Sequence, residues 1–441
     1  MTQLTIAALQ EAYQRGSLAP TDVVEGCLAR AREAAAQGVF ITLTPERALR
    51  EARAAQARWR AGRPLSPLDG VPVSWKDMIA VAGTATTGGS RVLAQPHARR
   101  DAPVVERLAG LGAVCIGKTN LSELAFSGLG LNPWYGTPSN PRGPEHEPHV
   151  CGGSSSGAAA SVARQLCALA VGTDTSGSVR VPAAFTGLFG WKPGRRSWSR
   201  GGVLGLASSL DALGVIANNV DDAIHVHAAL ASAAAGPAPT LSRIVADERL
   251  FAASDEQPRE HALRALRRLE QQGVVVEMRT VAEFEEVQAL FARHGTLVAA
   301  EAFARHRKLL GGQQATRMDP LVRQRLEAAA CIEPQDRRAL LAGRRRLLAA
   351  LAGRWPGAAF AFPTTPMTAP AVATASDALA YGALNSRALS HTMVASFLDL
   401  AGMAVPTGED RQGLPTSLLL STPAGHEDAL LALCRRLDPV G

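Results

Sequence analysis

The sequence predicts an α/β protein, one large domain of helices layered over a β-sheet. Three observations carry that prediction. Short apolar runs of strand length alternate with longer segments of helical spacing, the pattern a layered α/β fold produces. Hydrophobic residues make up 46% of a 441-residue chain, enough for a large core. No internal repeat and no low-complexity linker divides the chain into independent parts.

The elements follow in order. Residues 4–15 and 21–36 place apolar side chains at helical spacing, the second segment opened by Thr21 and Asp22 after Pro20. A short strand is expected at 39–42 and an Ala/Arg-rich helix at 45–60, ending before the turn-forming GRPLSPLDG. Residues 1–65 thus form a peripheral helical layer. A strand at 71–76, a helix at 101–111 and a buried strand at 113–117 come next, and a Gly/Asn/Pro-rich loop then runs to about residue 150. Residues 158–165 read as helix, 166–171 as strand, 179–187 as helix and 188–193 as strand. Helices at 220–232 and 255–272 accompany the strand runs RIVADE and VVVEM. From 281 to 352 the pattern is almost continuously helical, an elaboration beside the sheet. FAFPTTPM at 360–367, a helix near 385–402, MAVPTG and LPTSLLLST complete the chain.

Composition narrows the function classes. No apolar run reaches the length of a membrane span, and the first residues lack the basic and apolar regions of a secretory leader. Six scattered cysteines with no CxxC pair suit a reducing compartment, so a soluble cytoplasmic protein is expected. The net charge of +7 raises the question of an acidic partner. The basic residues are spread along helical segments without interleaved aromatics, which argues against nucleic acid. Lysine usage says more: only Lys76, Lys118, Lys192 and Lys308 are lysines, against a background of arginine. A buried lysine can lose its proton, whereas arginine keeps its own.

The chemistry is expected between Cys151 and Pro193, where two Gly/Ser-rich runs, GGSSSG at 152–157 and GTDTSGS at 172–178, flank an apolar segment. Such runs turn sharply and present backbone N–H groups to a ligand. Competing patterns are weaker. Residues 112–119 fit GxxxxGK[ST], a P-loop nucleotide-binding alternative, but a helix-like run precedes them and AVCI is itself β-type. GxSxG at 153–157 fits a nucleophile elbow with His391 or His426 downstream, yet three prolines stand where the delivering strand belongs. DTSG at 174–177 lacks a second carboxylate segment, and HEPH at 146–149 has the wrong spacing for a zinc helix.

Three segments together resemble the amidase signature family of serine hydrolases: GVPVSWKD around Lys76, GGSSSG around Ser154, and GTDTSGSVRVPAAFTGLFGWKP around Ser178. Likeness runs from about residue 68 to 220, with C-terminal echoes in FPTTP, DLAGMAVPTG and LPTSLLLSTPAG. The resemblance implies one domain around a mixed twisted sheet, with residues 66–220 as its core, and hydrolysis of a linear carboxamide without cofactor or metal. It implies a catalytic triad of Ser178 as nucleophile, Ser154 on a cis peptide as proton relay and Lys76 as base. Backbone N–H groups of Thr175, Ser176, Gly177 and Ser178 would form the oxyanion hole, with Asp174 as structural acceptor and Ser155, Ser156, Thr173, Arg180 and Asp77 as support. Lys76 must then be neutral, which calls for burial. Partners are limited to a small amide and a homodimer; the same family also contains the glutaminase component of a tRNA amidotransferase. Ser176, Ser156, Cys151 and the GWKPGRR continuation depart from the common pattern, which bears on substrate preference.

Overall fold

The computed structural model describes residues 3–35, 38–93, 96–231 and 241–438. Its centre is an eleven-stranded sheet. In chain order the strands are β1 (Phe40–Leu43), β2 (Pro72–Lys76), β3 (Val114–Thr119), β4 (Leu169–Asp174), β5 (Phe189–Lys192), β6 (Ala212–Ala217), β7 (Arg243–Asp247), β8 (Val276–Arg279), β9 (Ala358–Pro363), β10 (Ala401–Glu409) and β11 (Pro415–Thr422). Their spatial order is β1-β3-β2-β4-β6-β5-β10-β11-β9-β7-β8. The sheet is mixed: β2 runs parallel to β3 and β4, β7 runs parallel to β8 and β9, and the strands between them pair antiparallel.

Burial explains the layering. Every residue of β2, β3, β4, β5, β6, β9 and β11 is buried, so helices cover both faces of the central strands. The edge strands β1 and β8 are partly exposed, as edges are. The helix Pro45–Arg60 matches its expected limits, and the N-terminal helices Ile6–Arg15 and Pro20–Ala35 lie within two residues of theirs. β6 has no counterpart among the sequence expectations: Ala212–Ala217 is a run of only six residues interrupted by Gly214. The helix expected near 385–402 begins earlier, spanning Ala378–Phe397, because Asp377 caps Leu379 and Ala380. The continuous helical stretch after 281 resolves into several separate helices, the longest of them Pro334–Arg354. No helix among the described residues is long and apolar enough to cross a membrane. The six cysteines are all unpaired.

The lysine bias becomes intelligible here, since Lys76, Lys118 and Lys192 are buried while Lys308 is exposed. Lys118, on β3, ion-pairs with Asp77 at 2.5 Å and donates to Ala85 O and Thr86 Oγ1, each at 2.7 Å. Asp77 also accepts from the Thr87 N–H (2.9 Å) and hydroxyl (2.5 Å), tying the turn after β2 to the sheet. Both charges are withdrawn from water, so removing one leaves the other uncompensated. Lys118→Met is expected to cost about 3–5 kcal/mol of stability, read as a lowered urea midpoint. The double change with Asp77→Leu should recover much of that loss.

Candidate active site

Lys76 is the last residue of β2, and Thr173 and Asp174 end the parallel neighbour β4, so the two strands deliver these residues to one edge of the sheet. Crevices at the carboxyl ends of strands are where open α/β sheets place ligands. Ser178 lies in the loop after β4, ahead of the helix Arg180–Thr186. Ser154 enters from its own loop, two residues before the helix Ser156–Ala163.

The Lys76 amine is wholly buried. Its Nζ lies 2.6 Å from Ser154 Oγ, 2.8 Å from Thr173 Oγ1 and 3.4 Å from the Thr173 carbonyl. Burial draws its pKa from 10.5 down to about 7, against the opposing charges of Asp174 and Asp211. The Gly153–Ser154 peptide is cis. Its neighbourhood is held by backbone bonds, Gly153 N–H to Gly128 O at 2.8 Å and Ser122 N–H to Ser154 O at 3.1 Å. The Ser155 N–H donates to Ser178 O at 3.2 Å, which joins the two serine segments directly.

The loop carrying Ser178 is built around Asp174. Its carboxylate accepts from the N–H groups of Gly177 (2.8 Å), Val179 (3.1 Å) and Arg180 (3.4 Å) and from the Arg180 guanidinium at 2.9 and 3.0 Å. These donors outweigh burial and hold its pKa down at about 2. Asp174 is therefore an anchored acceptor, as expected. Arg180 extends the anchor to Ser396 Oγ at 2.7 Å, and Thr392 Oγ1 donates to Ser176 O at 2.6 Å. Thr175 Oγ1 donates to Asp211 Oδ1 at 2.7 Å.

One expectation changes. Gly177 N–H is taken by Asp174, so of the four N–H groups assigned to the oxyanion hole, those of Thr175, Ser176 and Ser178 remain. Asp77, the neighbour of Lys76 in sequence, is occupied by Lys118. Ser155 Oγ is 3.4 Å from Thr173 O, and Ser156 Oγ is buried without a partner among the described residues. Residues 114–119 of the P-loop pattern are a strand, not a phosphate-cradling loop. His391, the elbow's candidate base, is buried with its Nδ1 on Pro363 O at 2.8 Å, and its ring makes no hydrogen bond to Ser155. Nothing in the sequence pointed to Thr392, Ser396 or Asp211, whose roles arise only from packing.

A separate basic group lies near the same loops. Arg325, on the helix Pro320–Ala328, stands over the Phe126 ring at 4.1 Å, donates to the Phe126 carbonyl and meets the Tyr381 phenol. Ser127 and Gly128, next along, bond to Asn385 Oδ1, and Gly128 in turn holds Gly153. Among the described residues no carboxylate pairs with Arg325.

The amidase family model matches residues 22–431. The chain belongs to the amidase family. It is a hydrolase acting on carbon–nitrogen bonds. The 2-amino-5-chloromuconic acid deaminase of Comamonas testosteroni is 32% identical over 99% of this chain and 96% of that protein. One component of the glutamyl-tRNA(Gln) amidotransferase of Chloroflexus aurantiacus is 43% identical, over 50% of this chain and 45% of that component. A solved amidase superposes with a TM-score of 0.86 at 28% identity, covering 98% of this chain and 99% of its own. The K. lactis urea amidolyase gives the same TM-score at 26% identity over 98% of this amidase and 26% of that much longer protein.

Gly177 leaves no room for a side chain. Its φ is +134°, and a Cβ there would collide with Thr392 Oγ1. Gly177→Ala is expected to displace the Ser178 loop and lower kcat/KM by about 100-fold or more, with the far-ultraviolet circular dichroism unchanged.

Proposed function

We propose that this amidase cleaves a linear carboxamide to a carboxylate and ammonia or an amine through an acyl-enzyme on Ser178. The observation that carries the reading is the buried Lys76 amine 2.6 Å from Ser154 Oγ, on a segment bonded to the backbone of Ser178. A serine hydroxyl attacks only when a base takes its proton. Neutral Lys76 takes the Ser154 proton as Ser154 takes that of Ser178, a transfer suited to a hydroxyl that both donates and accepts. Ser178 Oγ then bonds to the amide carbon, and the carbonyl oxygen gathers negative charge beside the N–H groups of Thr175, Ser176 and Ser178. One such donor contributes on the order of 3 kcal/mol to the transition state. As the C–N bond breaks, protonated Lys76 returns the proton through Ser154 to the leaving nitrogen. Water next gives up a proton along the same relay and releases the acid. No cofactor enters this scheme.

The end-to-end likeness to a deaminase favours a chain that acts by itself over a component of an amidotransferase, whose likeness spans half the chain. We read it as a single catalytic unit with 66–220 at its core, acting on a small molecule in a reducing cytoplasm, as a homodimer or alone. An acid group on the substrate is what Arg325 favours, since its guanidinium, held on Phe126 two residues before Gly128, has no carboxylate partner among the described residues. The Comamonas relative is named for an acid substrate as well.

Ser178→Ala should abolish amide turnover with the fold retained, and undiminished turnover rejects the nucleophile. Because the neutral amine is the active form and its pKa is about 7, kcat/KM should rise through pH 7 and level off above it, a limb missing in Lys76→Ala. Arg325→Gln should raise KM about tenfold or more for a monoamide of a dicarboxylic acid and leave a neutral amide of equal length little changed. Equal effects on both would remove the acid group from the substrate class.

A further inference from the structure

Asp211 immediately precedes β6, at the point where Ala212 pairs with Asp174. Its Oδ1 accepts from the Thr175 hydroxyl at 2.7 Å and the Ala207 N–H at 3.0 Å, and its Oδ2 accepts from the Leu206 N–H at 3.0 Å. All three partners are donors, which suits an ionised carboxylate. It lines a cavity of about 300 Å³ together with Thr173, which holds the Lys76 amine, and Thr175.

The other carboxylates around Lys76 have cationic partners, although Asp174 still raises the lysine's pKa, and by more than Asp211 does. Asp174 is gripped by Arg180 at 2.9 Å, with Lys192 close behind, and Asp77 is paired with Lys118 at 2.5 Å. No lysine or arginine among the described residues comes within ion-pair distance of the Asp211 carboxylate. Arg200 lines the same cavity but donates to the Asp211 backbone carbonyl (2.9 Å), and Arg305 stands across from it near Gly205. Asp211 is thus the carboxylate of that shell without an ion pair among the described residues; burial raises its pKa, and its three hydrogen-bond donors and the charge of Arg200 oppose that rise.

We infer that Asp211 is a positioning residue with two effects: through Thr175 it fixes the oxyanion loop, and through its unpaired charge it sets the pH at which Lys76 gives up its proton. The inference rests on Lys76 serving as the base. A negative charge favours the ammonium form, so removing it lowers the lysine's pKa. Asp211→Asn should therefore move the acid limb of kcat/KM to lower pH by about half a unit or more, while kcat falls as the loop loosens. Thr175→Val, which breaks the loop contact and keeps the charge, should lower kcat with the limb in place. Asp211→Glu should likewise leave the limb where it is, and it decides the matter should the Asn variant fail to fold.

An Asp211→Asn profile that only shrinks, with its limb unmoved, overturns the electrostatic role, as does a Glu variant whose limb shifts downward. An unchanged kcat in Thr175→Val overturns the loop role. A wild-type profile that is flat through pH 7 fails earlier, since it removes the lysine base itself and is read before any Asp211 variant is made.

Discussion

The site depends on the exclusion of water from one amine. An ammonium group prefers water strongly, and the strands β2 and β4 place Lys76 where none reaches it, with two hydroxyls and a carbonyl for company. That setting satisfies the neutral amine and penalises the charged one, which is what a base working near neutrality requires. The neighbouring acids pull the other way, and the balance leaves the pKa near 7 rather than far below it. Burial alone would make the lysine too weak a base, and exposure would leave it protonated.

A second constraint holds the Ser178 loop. Asp174 gathers three backbone N–H groups and one guanidinium, so the turn after β4 is organised about a single carboxylate. Arg180 passes that order to the helix Ala378–Phe397 through Ser396, and Thr392 returns to Ser176. The core of the family likeness and the distant helix are therefore one mechanical unit. A mutation in the helix can disturb the chemistry without touching substrate.

The three buried lysines, Lys76, Lys118 and Lys192, share one physical logic with different outcomes. Lys118 finds a carboxylate at 2.5 Å and becomes structural. Lys192 donates to Pro193 O beside Arg180 and Asp174, and burial lowers its pKa to about 8. Lys76 alone has a serine hydroxyl as its nearest partner.

The sequence by itself determined the α/β class and most strands and helices, because these rest on apolar periodicity; composition marked the two Gly/Ser runs and the scarce lysines, while the roles of Lys76, Ser154, Ser178, Asp174 and Arg180 were implied by the resemblance to the amidase family. β6 escaped because it is only six residues long and Gly214 interrupts its apolar run. Only the tertiary structure decided which N–H groups stay free, since the loss of Gly177's depends on how Asp174 folds back on its own loop. It alone brought Thr392, Ser396 and Asp211 to the Ser178 loop. Those contacts span up to 216 residues of chain, and pairings at that distance are set by how the helices and strands pack, which no run of neighbouring residues encodes.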